Sequence, residues 1–365
     1  MENKIAWILL AAKNRQNKKI KALAADFDKK KKSVDMTTDD AVALCNSIEK
    51  ALKAGYGLIT YMDKDYPEEL RNIAYPPPYL FVRGNRSLLA YPVKAAIVGS
   101  REATPYGMNV AANFAHELAD SRVCIVTGGA RGIDTAAIRG AMRVGTNVIV
   151  VIGTGIDVDY PPENAELFEK ISKSGGLIVS EFPMGMGPLR ENFPVRNRIM
   201  TALSESVTIV EAANRSGALI SASHAAEQGK TVFAVPGNID CRNSAGTNAL
   251  LRDGASFALS GSDILYEMMD RVPEKFRKID SFGEECETEE KVAEQVTETT
   301  VEDCEKHLSP FERGVINALK TGKETYEEIM EFTQMEAAKL TSVLTIMEIK
   351  GIIKLAFRNK YKLND

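Results

Sequence analysis

The sequence predicts an α/β protein: a doubly wound, Rossmann-like parallel sheet flanked by a small N-terminal helical domain and a C-terminal winged helix. Short apolar runs alternate with longer amphipathic segments from Ala95 onward, the pattern of parallel strands joined by crossover helices. The chain has 365 residues, of which 44% are hydrophobic and 26% charged. That length and composition can bury a large core and favour more than one domain.

Residues 1–60 predict the small helical domain. The run "IAWILLAA" is too short to span a bilayer, and "KNRQNKK" follows it instead of a cleavage site, so we predict a core helix. A second helix is expected at "TTDDAVALCNSIEKALKAG", with Thr38 and Asp39 at its start and Gly55 as its stop. In the connecting segment at 61–93, the three prolines of "YPPPYLFVRGN" predict a break in regular structure.

Residues 94–272 predict the Rossmann-like domain. Its expected strands are "AAIVGS", "CIVTGG", "NVIVVIG", "GLIVSEF", "SVTIVEA" and "TVFAVPG", with amphipathic helical segments between them. In such a sheet, ligands lie outside the carboxyl ends of the strands, where helix N-termini converge.

The C-terminal part divides in two. Acidic residues dominate between 280 and 305, which predicts a solvated linker at 273–306. Apolar periodicity then returns, and three helices followed by two short strands around "RN" predict the winged helix at 307–365.

Composition excludes some classes of function. The five cysteines and three histidines show no zinc, disulfide or Cys/His nucleophile spacing, so we expect a reducing cytoplasm, no metal, no cofactor and no membrane. The net charge of −4 argues against a nucleic-acid partner for the chain as a whole. However, arginine predominates among the basic residues of 94–252, whereas lysine predominates in 1–93. Because arginine grips phosphate bidentately, the middle of the chain is the candidate for chemistry.

The first candidate loop is "VGSREATPYG". Gly99 lets the backbone approach an anion, and Thr104 with Pro105 predicts a helix N-terminus whose N–H groups face the same way as Arg101. Gly99, Ser100 and Arg101 are therefore candidates for phosphate binding. The alternative is a structural turn with a surface arginine.

The second loop, "TGGARGIDTAA", repeats this pattern. Gly128 and Gly129 permit a tight turn, Arg131 lies in the loop, and Asp134 can cap the next helix. The loop matches neither GxGxxG nor GxxxxGK[ST], and no acidic residue ends the next strand, which argues against a dinucleotide and against nucleotide hydrolysis.

A third cluster occurs in "ENFPVRNRIM". We predict Arg196, Asn197 and Arg198 at the start of a helix, where two arginines oppose the helix dipole unless an anion binds there. The alternative is that one arginine pairs with a core carboxylate such as Glu181 or Glu211.

Two later loops supply neutral groups. Arg215 precedes Ser216, a predicted N-cap, and Gly217, which allows close approach to the backbone. The loop "PGNIDCRNSAGTNALL" adds hydroxyl and amide side chains suited to sugar and phosphate contacts. We find no acid and base pair with opposed pKa values, so we predict no catalytic residues and no enzyme activity.

These motifs resemble one family. "GSR" with "TPYG", "GGARGID", "FPVRNRI", "SGALISA", "AVPG" and "SAGTNALLRDGA" occur in the order typical of the DNA-processing protein A family of natural transformation. The resemblance is close from about Asp65 to Leu265. It implies a protein that binds and protects incoming single-stranded DNA, loads the recombinase RecA onto it, and forms a homodimer through the Rossmann-like domain.

The resemblance also implies site residues. It assigns phosphate binding to Gly99, Ser100 and Arg101, and a share of the same pocket to Gly129, Arg131, Arg196, Asn197 and Arg198. Arg131 stands where the commoner family pattern, "SGLALGID", has an apolar residue, so its contact with DNA is an inference from its charge. Phe193, Tyr106 and Tyr160 are the aromatic residues near the expected pocket.

Two other functions compete with this reading. The fold also resembles nucleoside monophosphate phosphoribohydrolases, but their "PGGxGTxxE" signature is absent because no carboxylate follows Thr247 at the required position. A duplex-binding regulator would act through the winged helix. Its expected recognition helix has only Lys339 and Lys350 as basic residues, which is weak for reading a major groove.

Overall fold

The computed structural model describes residues 6–8, 20–27, 38–268, 310–323, 325–333, 353–356 and 360–363, with single positions between 335 and 347. The chain divides into two compact units, Met1–Cys286 and Glu287–Asp365. No helix within the described ranges is both long and apolar enough to cross a membrane.

The first unit alternates helices and strands along the chain. Its first half contains α1 (Ile20–Ala25), α2 (Asp39–Lys53), β1 (Gly57–Thr60), α3 (Glu68–Asn72), β2 (Tyr79–Gly84), β3 (Lys94–Val98), α4 (Pro105–Asp120), β4 (Cys124–Thr127) and α5 (Ile133–Ala141). Its second half contains β5 (Val148–Val151), α6 (Ala165–Lys173), β6 (Leu177–Ser180), α7 (Asn192–Ala202), β7 (Ser206–Ile209), α8 (Gly217–Glu227), β8 (Thr231–Ala234), α9 (Ala245–Arg252), β9 (Ser256–Phe257) and α10 (Gly261–Met268).

The strands form one mixed sheet in the order β1-β2-β6-β5-β4-β3-β7-β8-β9. From β6 to β9 all neighbours are parallel, and β1 and β2 join antiparallel at one edge. Strands β3 to β7 are buried along their whole length, because both faces of a parallel sheet are covered. Helix α4 packs on α5, and α7 packs on α8. Right-handed crossovers place these two pairs on opposite faces of the sheet.

All six predicted strands are present, which confirms the doubly wound fold. The expectation of a break at "YPPPYLFVRGN" is wrong for its second half, because Tyr79–Gly84 forms β2 and pairs with β6. The prolines precede this strand, so they remove no hydrogen bond from its ladder. Strands β1 and β9 were also not predicted, and β9 is only two residues long.

The N-terminal helical residues share the core of the sheet. Trp7, Ile20, Leu23 and Ile48 are buried in the same hydrophobic cluster as β3 and β4. The indole Nε1 of Trp7 donates to the carbonyl oxygen of Pro78 at 2.8 Å. The domain boundaries at residues 60 and 93 stay predictions, but the hydrophobic core is continuous through both.

The second unit has a core of its own. Helices α11 (Pro310–Lys320) and α12 (Tyr326–Thr333) precede an antiparallel pair, β10 (Ile353–Ala356) and β11 (Lys360–Leu363). Its buried residues include Val315, Ile329 and Leu340. Most of the third predicted helix and the whole acidic linker at 273–306 lie outside the described residues, so the winged helix stays a prediction.

Candidate nucleic-acid interface

A groove of about 860 Å³ opens at the carboxyl end of β3. Strand β3 pairs with β4 on one side and with β7 on the other, so the loops after β3 and β7 diverge there. This is the topological switch point, where doubly wound folds bind their ligands. The groove is lined by four arginines, Arg101, Arg190, Arg196 and Arg242, and by the carboxyl groups of Glu102 and Asp134.

The loop after β3 is held by buried contacts. A Cβ added at Gly99 would lie 2.7 Å from Cγ1 of Ile133 and 2.9 Å from the carbonyl oxygen of Glu211, so only glycine fits there. The carbonyl oxygen of Ser100 accepts a hydrogen bond from the Ile133 N–H at 3.2 Å. This packing fixes the direction in which Arg101 leaves the loop.

The N-terminus of α4 is already paired with a carboxylate of the protein. Thr104 caps the helix and donates its backbone N–H and its hydroxyl to the two carboxylate oxygens of Glu211, at 2.9 and 2.5 Å. The Glu211 side chain fills the space beside Gly107 and is only 1% exposed. The prediction that this helix end presents unoccupied N–H groups to a phosphate is therefore wrong, because a carboxylate of the protein lies there.

Arg101 is exposed and lies over an aromatic ring. Its guanidinium carbon is 4.7 Å from the ring centroid of Phe193, a cation–π geometry. The Phe193 ring in turn contacts Tyr160, with 5.7 Å between centroids. Both aromatic residues line the groove, whereas Tyr106 does not; its hydroxyl donates to the carbonyl oxygen of Pro236 at 3.0 Å.

Arg196 forms part of the floor of the groove and is only 4% exposed. Its guanidinium lies against Gly128, where any Cβ would overlap it. Its Nε has no hydrogen-bond partner among the described residues, and Nη1 lies 3.8 Å from the sulfur of Met200. Burial lowers the pKa of Arg196 to about 10, opposed by Asp134 and reinforced by Arg101. The guanidinium therefore stays charged at neutral pH with weak compensation.

The neighbouring carboxyl group of Asp134 is also buried. It accepts a hydrogen bond from the Ala130 N–H at 3.2 Å. Burial raises the pKa of Asp134 above its usual value, and the charge of Arg196 partly offsets this shift. A carboxyl group whose charged form is disfavoured neutralises Arg196 less well.

Arg198 has a structural environment. Its Nη2 lies 2.6 Å from both carboxylate oxygens of Glu181. The Arg198 side chain is buried, and that of Glu181 is 12% exposed. Arg198 does not line the groove. Arg198 is therefore the arginine that pairs with a core carboxylate, as the alternative predicted.

The predicted start of α7 was too late. The helix begins at Asn192, so Arg196 and Arg198 lie beyond its first turn and do not oppose its dipole there. Pro194 is compatible with this start, because residues in a first helical turn need no N–H bond to the helix. The argument that Arg196 and Arg198 oppose the helix dipole is therefore wrong, although Arg196 does line the groove.

Other predicted residues take different positions. Ser216 caps α8 by accepting from the Ala218 N–H at 3.3 Å, and Gly217 has open space around it; both line the groove. Asn197 also lines it and donates to the carbonyl oxygen of Gly217 at 3.4 Å. Gly129 shapes the turn after β4 with a positive φ of 68°. The Nε and Nη2 of Arg131 bind one carboxylate oxygen of Glu163 at 3.2 and 2.7 Å.

Two groove arginines lie outside the predicted motifs. Arg190 precedes α7 and Arg242 lies in the loop after β8, and both are exposed on the groove. Each is an isolated arginine in a loop, and only the strand order brings the two loops together. Across the described residues, no three His, Cys, Asp or Glu side chains are grouped to hold a metal ion.

Comparison with known proteins shows the family of this chain. The sequence profile of DNA recombination-mediator protein A matches residues 57–269. The chain belongs to this family. DNA processing protein DprA of Streptococcus pneumoniae is 42% identical over 206 residues, covering 56% of this chain and 72% of that protein.

Two further relatives show how much of the chain the family resemblance covers. Protein Smf of Synechocystis sp. is 40% identical over 210 residues, which are 57% of this chain and only 52%, about half, of that protein. A solved structure of DNA processing protein A from Helicobacter pylori, described for its single-stranded DNA binding mode, matches with a TM-score of 0.54. It is 31% identical and covers 60% of this chain and 97% of that chain. The family match contains every groove residue and none of the second unit.

Proposed function

We propose that the groove binds single-stranded DNA through its sugar–phosphate backbone. The observation that carries this proposal is the buried guanidinium of Arg196, whose Nε has no partner within the described part of the chain, on the floor of a groove with three further arginines. A buried charge with weak compensation is costly unless a ligand supplies the opposite charge. The binding mode named for the Helicobacter pylori relative supports the same ligand.

The shape of the groove favours an unpaired strand. Arg196 lies on its floor, so a phosphate must descend between the loops after β3 and β7 to reach it. We therefore expect a single strand, whose backbone bends freely, to bring a phosphate to Arg196 more readily than a duplex does. Counterion release then supplies most of the affinity with little sequence preference.

Phe193 and Tyr160 give the groove an apolar wall. Arg101 lies over the Phe193 ring, so a nucleobase that stacks there shares the ring with a cation. Base stacking on aromatic side chains is sequence-tolerant, which suits a protein that binds strands of any sequence. Among the residues predicted to contact DNA, we retain the seven that line the groove: Gly99, Ser100, Arg101, Arg196, Asn197, Ser216 and Gly217. Arg131 does not line the groove but is exposed in the next loop, and we retain it for its charge. We assign Gly129, which packs against Val150 and Phe168, and Arg198 to folding.

The wider role follows from the family. We propose that the chain is a recombination mediator of natural transformation that protects incoming DNA and loads RecA onto it as a cytoplasmic homodimer. We propose no enzyme activity, and the mononucleotide arm of the experiment below tests the phosphoribohydrolase alternative.

The test is a salt titration of binding to a fluorescent oligothymidine, its duplex and a nucleoside monophosphate. If four arginines neutralise phosphates, log K falls with log salt with a slope of about −3, at about 0.7 per phosphate. Arg101→Ala lowers affinity about tenfold and reduces the slope by about 0.7, since one phosphate contact is lost. Arg252→Ala is the matched control, because Arg252 is exposed and does not line the groove.

The results that contradict the proposal are distinct. Equal affinity for duplex and single strand moves the DNA site away from the groove, toward the second unit. Identical binding by Arg101→Ala and Arg252→Ala removes the groove arginines from the interaction. Turnover of the mononucleotide establishes the phosphoribohydrolase alternative instead.

A further inference from the structure

One amide side chain joins two of the loops that line the groove. Asn243 lies in the short 3-10 turn Arg242–Ser244, which precedes α9. Its Nδ2 donates a hydrogen bond to the backbone carbonyl oxygen of Glu102, in the loop after β3, at 2.6 Å. The two residues are 141 positions apart in the sequence, so this bond is a long-range contact between the loop after β8 and the loop after β3.

The backbone of Asn243 is held by the segment that follows β7. Its carbonyl oxygen accepts a hydrogen bond from the Ala212 N–H at 2.7 Å, and the carbonyl oxygen of Ala212 accepts from the Gly246 N–H at 2.7 Å. Ala212 is fully buried, and a Cβ at Gly246 would lie 2.6 Å from its carbonyl oxygen. The turn that carries Asn243 is therefore packed against the core, and the Asn243 side chain leaves it from a fixed point.

The loop after β8 is also closed on itself. The Asn248 side chain accepts from the Gly237 N–H at 3.2 Å and donates to the Gly237 carbonyl oxygen at 3.0 Å. A Cβ at Gly237 would overlap the hydroxyl group of Ser244. The bond from the Tyr106 hydroxyl to the carbonyl oxygen of Pro236 ties the same loop to α4. This loop is therefore a firm support for a contact made by Asn243.

The loop after β3 is anchored at its two ends and bound by Asn243 between them. At one end, the Ser100 carbonyl oxygen accepts from the first N–H of α5. At the other end, Thr104 donates its N–H and its hydroxyl to Glu211. Between these anchors, the hydrogen bond from Asn243 to Glu102 fixes the middle of the loop.

Each end of this hydrogen bond is next to a groove arginine. Arg101 precedes Glu102, and Arg242 precedes Asn243. Both arginines are exposed and line the groove. They come from loops after strands that are not neighbours, because β7 lies between β3 and β8. The bond therefore sets the separation between the backbones that carry these two guanidinium groups.

We propose that Asn243 is a positioning residue for DNA binding, whose bond to Glu102 holds Arg101 at the distance from Arg242 at which both contact one strand. This inference rests on the proposed function of the groove. An exposed loop that is ordered before binding loses less conformational entropy when the ligand arrives, so preorganisation raises affinity. One neutral hydrogen bond near the surface contributes little to folding, so we assign its main effect to the position of Arg101.

The experiment is a double-mutant cycle on the affinity for a fluorescent oligothymidine. Asn243→Ala is expected to lower the affinity of the wild type about fivefold, the effect of one lost hydrogen bond. In an Arg101→Ala background the same substitution should change affinity less than about twofold, because the loop no longer carries a guanidinium group. Asn243→Gln keeps an amide donor and should bind within about twofold of the wild type.

Asn238→Ala is the matched control. Asn238 is an exposed amide in the same loop, its Oδ1 accepts from the Asp240 N–H at 3.0 Å, and it does not line the groove. Its substitution should leave affinity within about twofold of the wild type in both backgrounds. The melting temperature of each variant shows that it has folded.

Amide hydrogen exchange without DNA tests the contact between the loops independently. The Thr104 N–H is protected by its bond to Glu211 at 2.9 Å, two residues from the carbonyl group that Asn243 binds. Loss of the Asn243 bond should speed its exchange about threefold or more, because the loop opens locally more often. Asn238→Ala should leave this exchange rate unchanged.

The proposal is overturned if Asn243→Ala binds the strand as the wild type does. It is also overturned if Asn243→Ala causes the same loss in both backgrounds, because Asn243 would then contact the strand directly or act without Arg101. Unchanged exchange of the Thr104 N–H overturns it as well. If the wild type binds no strand, the proposed function fails and this inference fails with it, whereas an additive cycle in a protein that binds the strand refutes this inference alone.

Discussion

Two arginines on the same helix, Arg196 and Arg198, have opposite environments. Arg198 is neutralised by Glu181 at 2.6 Å, although its Nη1 has no hydrogen-bond partner among the described residues. Arg196 lies against Gly128, and its Nε has no such partner either. Two residues along a helix correspond to a rotation of about 200°, so their side chains point in nearly opposite directions. One arginine therefore serves the fold and the other is available to a ligand.

Glu181→Gln is expected to lower the free energy of unfolding by about 3 kcal/mol, because it leaves the buried charge of Arg198 without a partner. The affinity of the folded protein for single-stranded DNA should not change, since Arg198 does not line the groove. Urea unfolding and strand binding measure the two effects.

Glu163→Gln is the control for this substitution. It breaks the exposed pair with Arg131 and should cost less than about 1 kcal/mol. A large loss of affinity in Glu181→Gln at unchanged stability would instead assign Arg198 to the DNA site.

At the scale of single elements, the start of α4 is the most informative. Its capping residue, Thr104, is bound by Glu211, which follows β7 more than a hundred residues later. A carboxylate near the positive end of a helix is favourable in the same way as a bound anion. The contact ties the loop that carries Arg101 to the strand on the other side of the switch point.

Thr104→Ala should lower the free energy of unfolding by about 2 kcal/mol, because it removes a helix cap and one hydrogen bond to a buried carboxylate. Ser223→Ala is the matched control: Ser223 is exposed in α8, so its change should be within about 0.5 kcal/mol. Urea unfolding of both variants checks the difference. Equal small changes would show that Glu211 is held by its other contacts.

The elements also show which structure local sequence can predict. The six predicted strands are apolar runs between helical segments, and their burial on both faces makes that pattern clear. Strand β2 was missed because Pro76, Pro77 and Pro78 dominate the segment before it. These prolines were compatible with their position before the strand and misleading as a boundary.

At the scale of the whole molecule, charge is distributed unevenly. The chain carries a net charge of −4, yet four arginines and two carboxyl groups line the groove. A concave site focuses its own field, so a protein of negative net charge can attract a polyanion to one face. All the residues that line the groove belong to the first unit, and the second unit has its own hydrophobic core.

A chain that ends at residue 286 is therefore expected to bind single-stranded DNA within about threefold of the full chain, a difference of less than 1 kcal/mol. Fluorescence anisotropy on both proteins at one salt concentration measures it. A much larger loss would place DNA contacts in the second unit and would support the winged helix as a DNA-binding element.

The groove could be predicted only in part. Gly99, Arg101, Ser216 and Gly217 were candidates because each lies in a loop at the end of a strand or at the start of the helix that follows it, whereas Arg196 was a candidate through a helix-dipole argument that the structure does not support. Arg190, Arg242 and the position of Glu211 depend on which strands are neighbours, and no local pattern in the sequence contains that order. The family resemblance supplied the ligand class, and the strand order supplied the geometry.

The switch point has a mechanical consequence. Strands β3 to β6 follow one another toward one edge of the sheet, and β7 to β9 follow one another toward the other edge. The β3–β7 pair is therefore the boundary between the two halves of the sheet. The residues that line the groove come from both sides of that pair. We therefore expect a strand bound in the groove to hold the two halves of the sheet together, so that separating them also releases the strand.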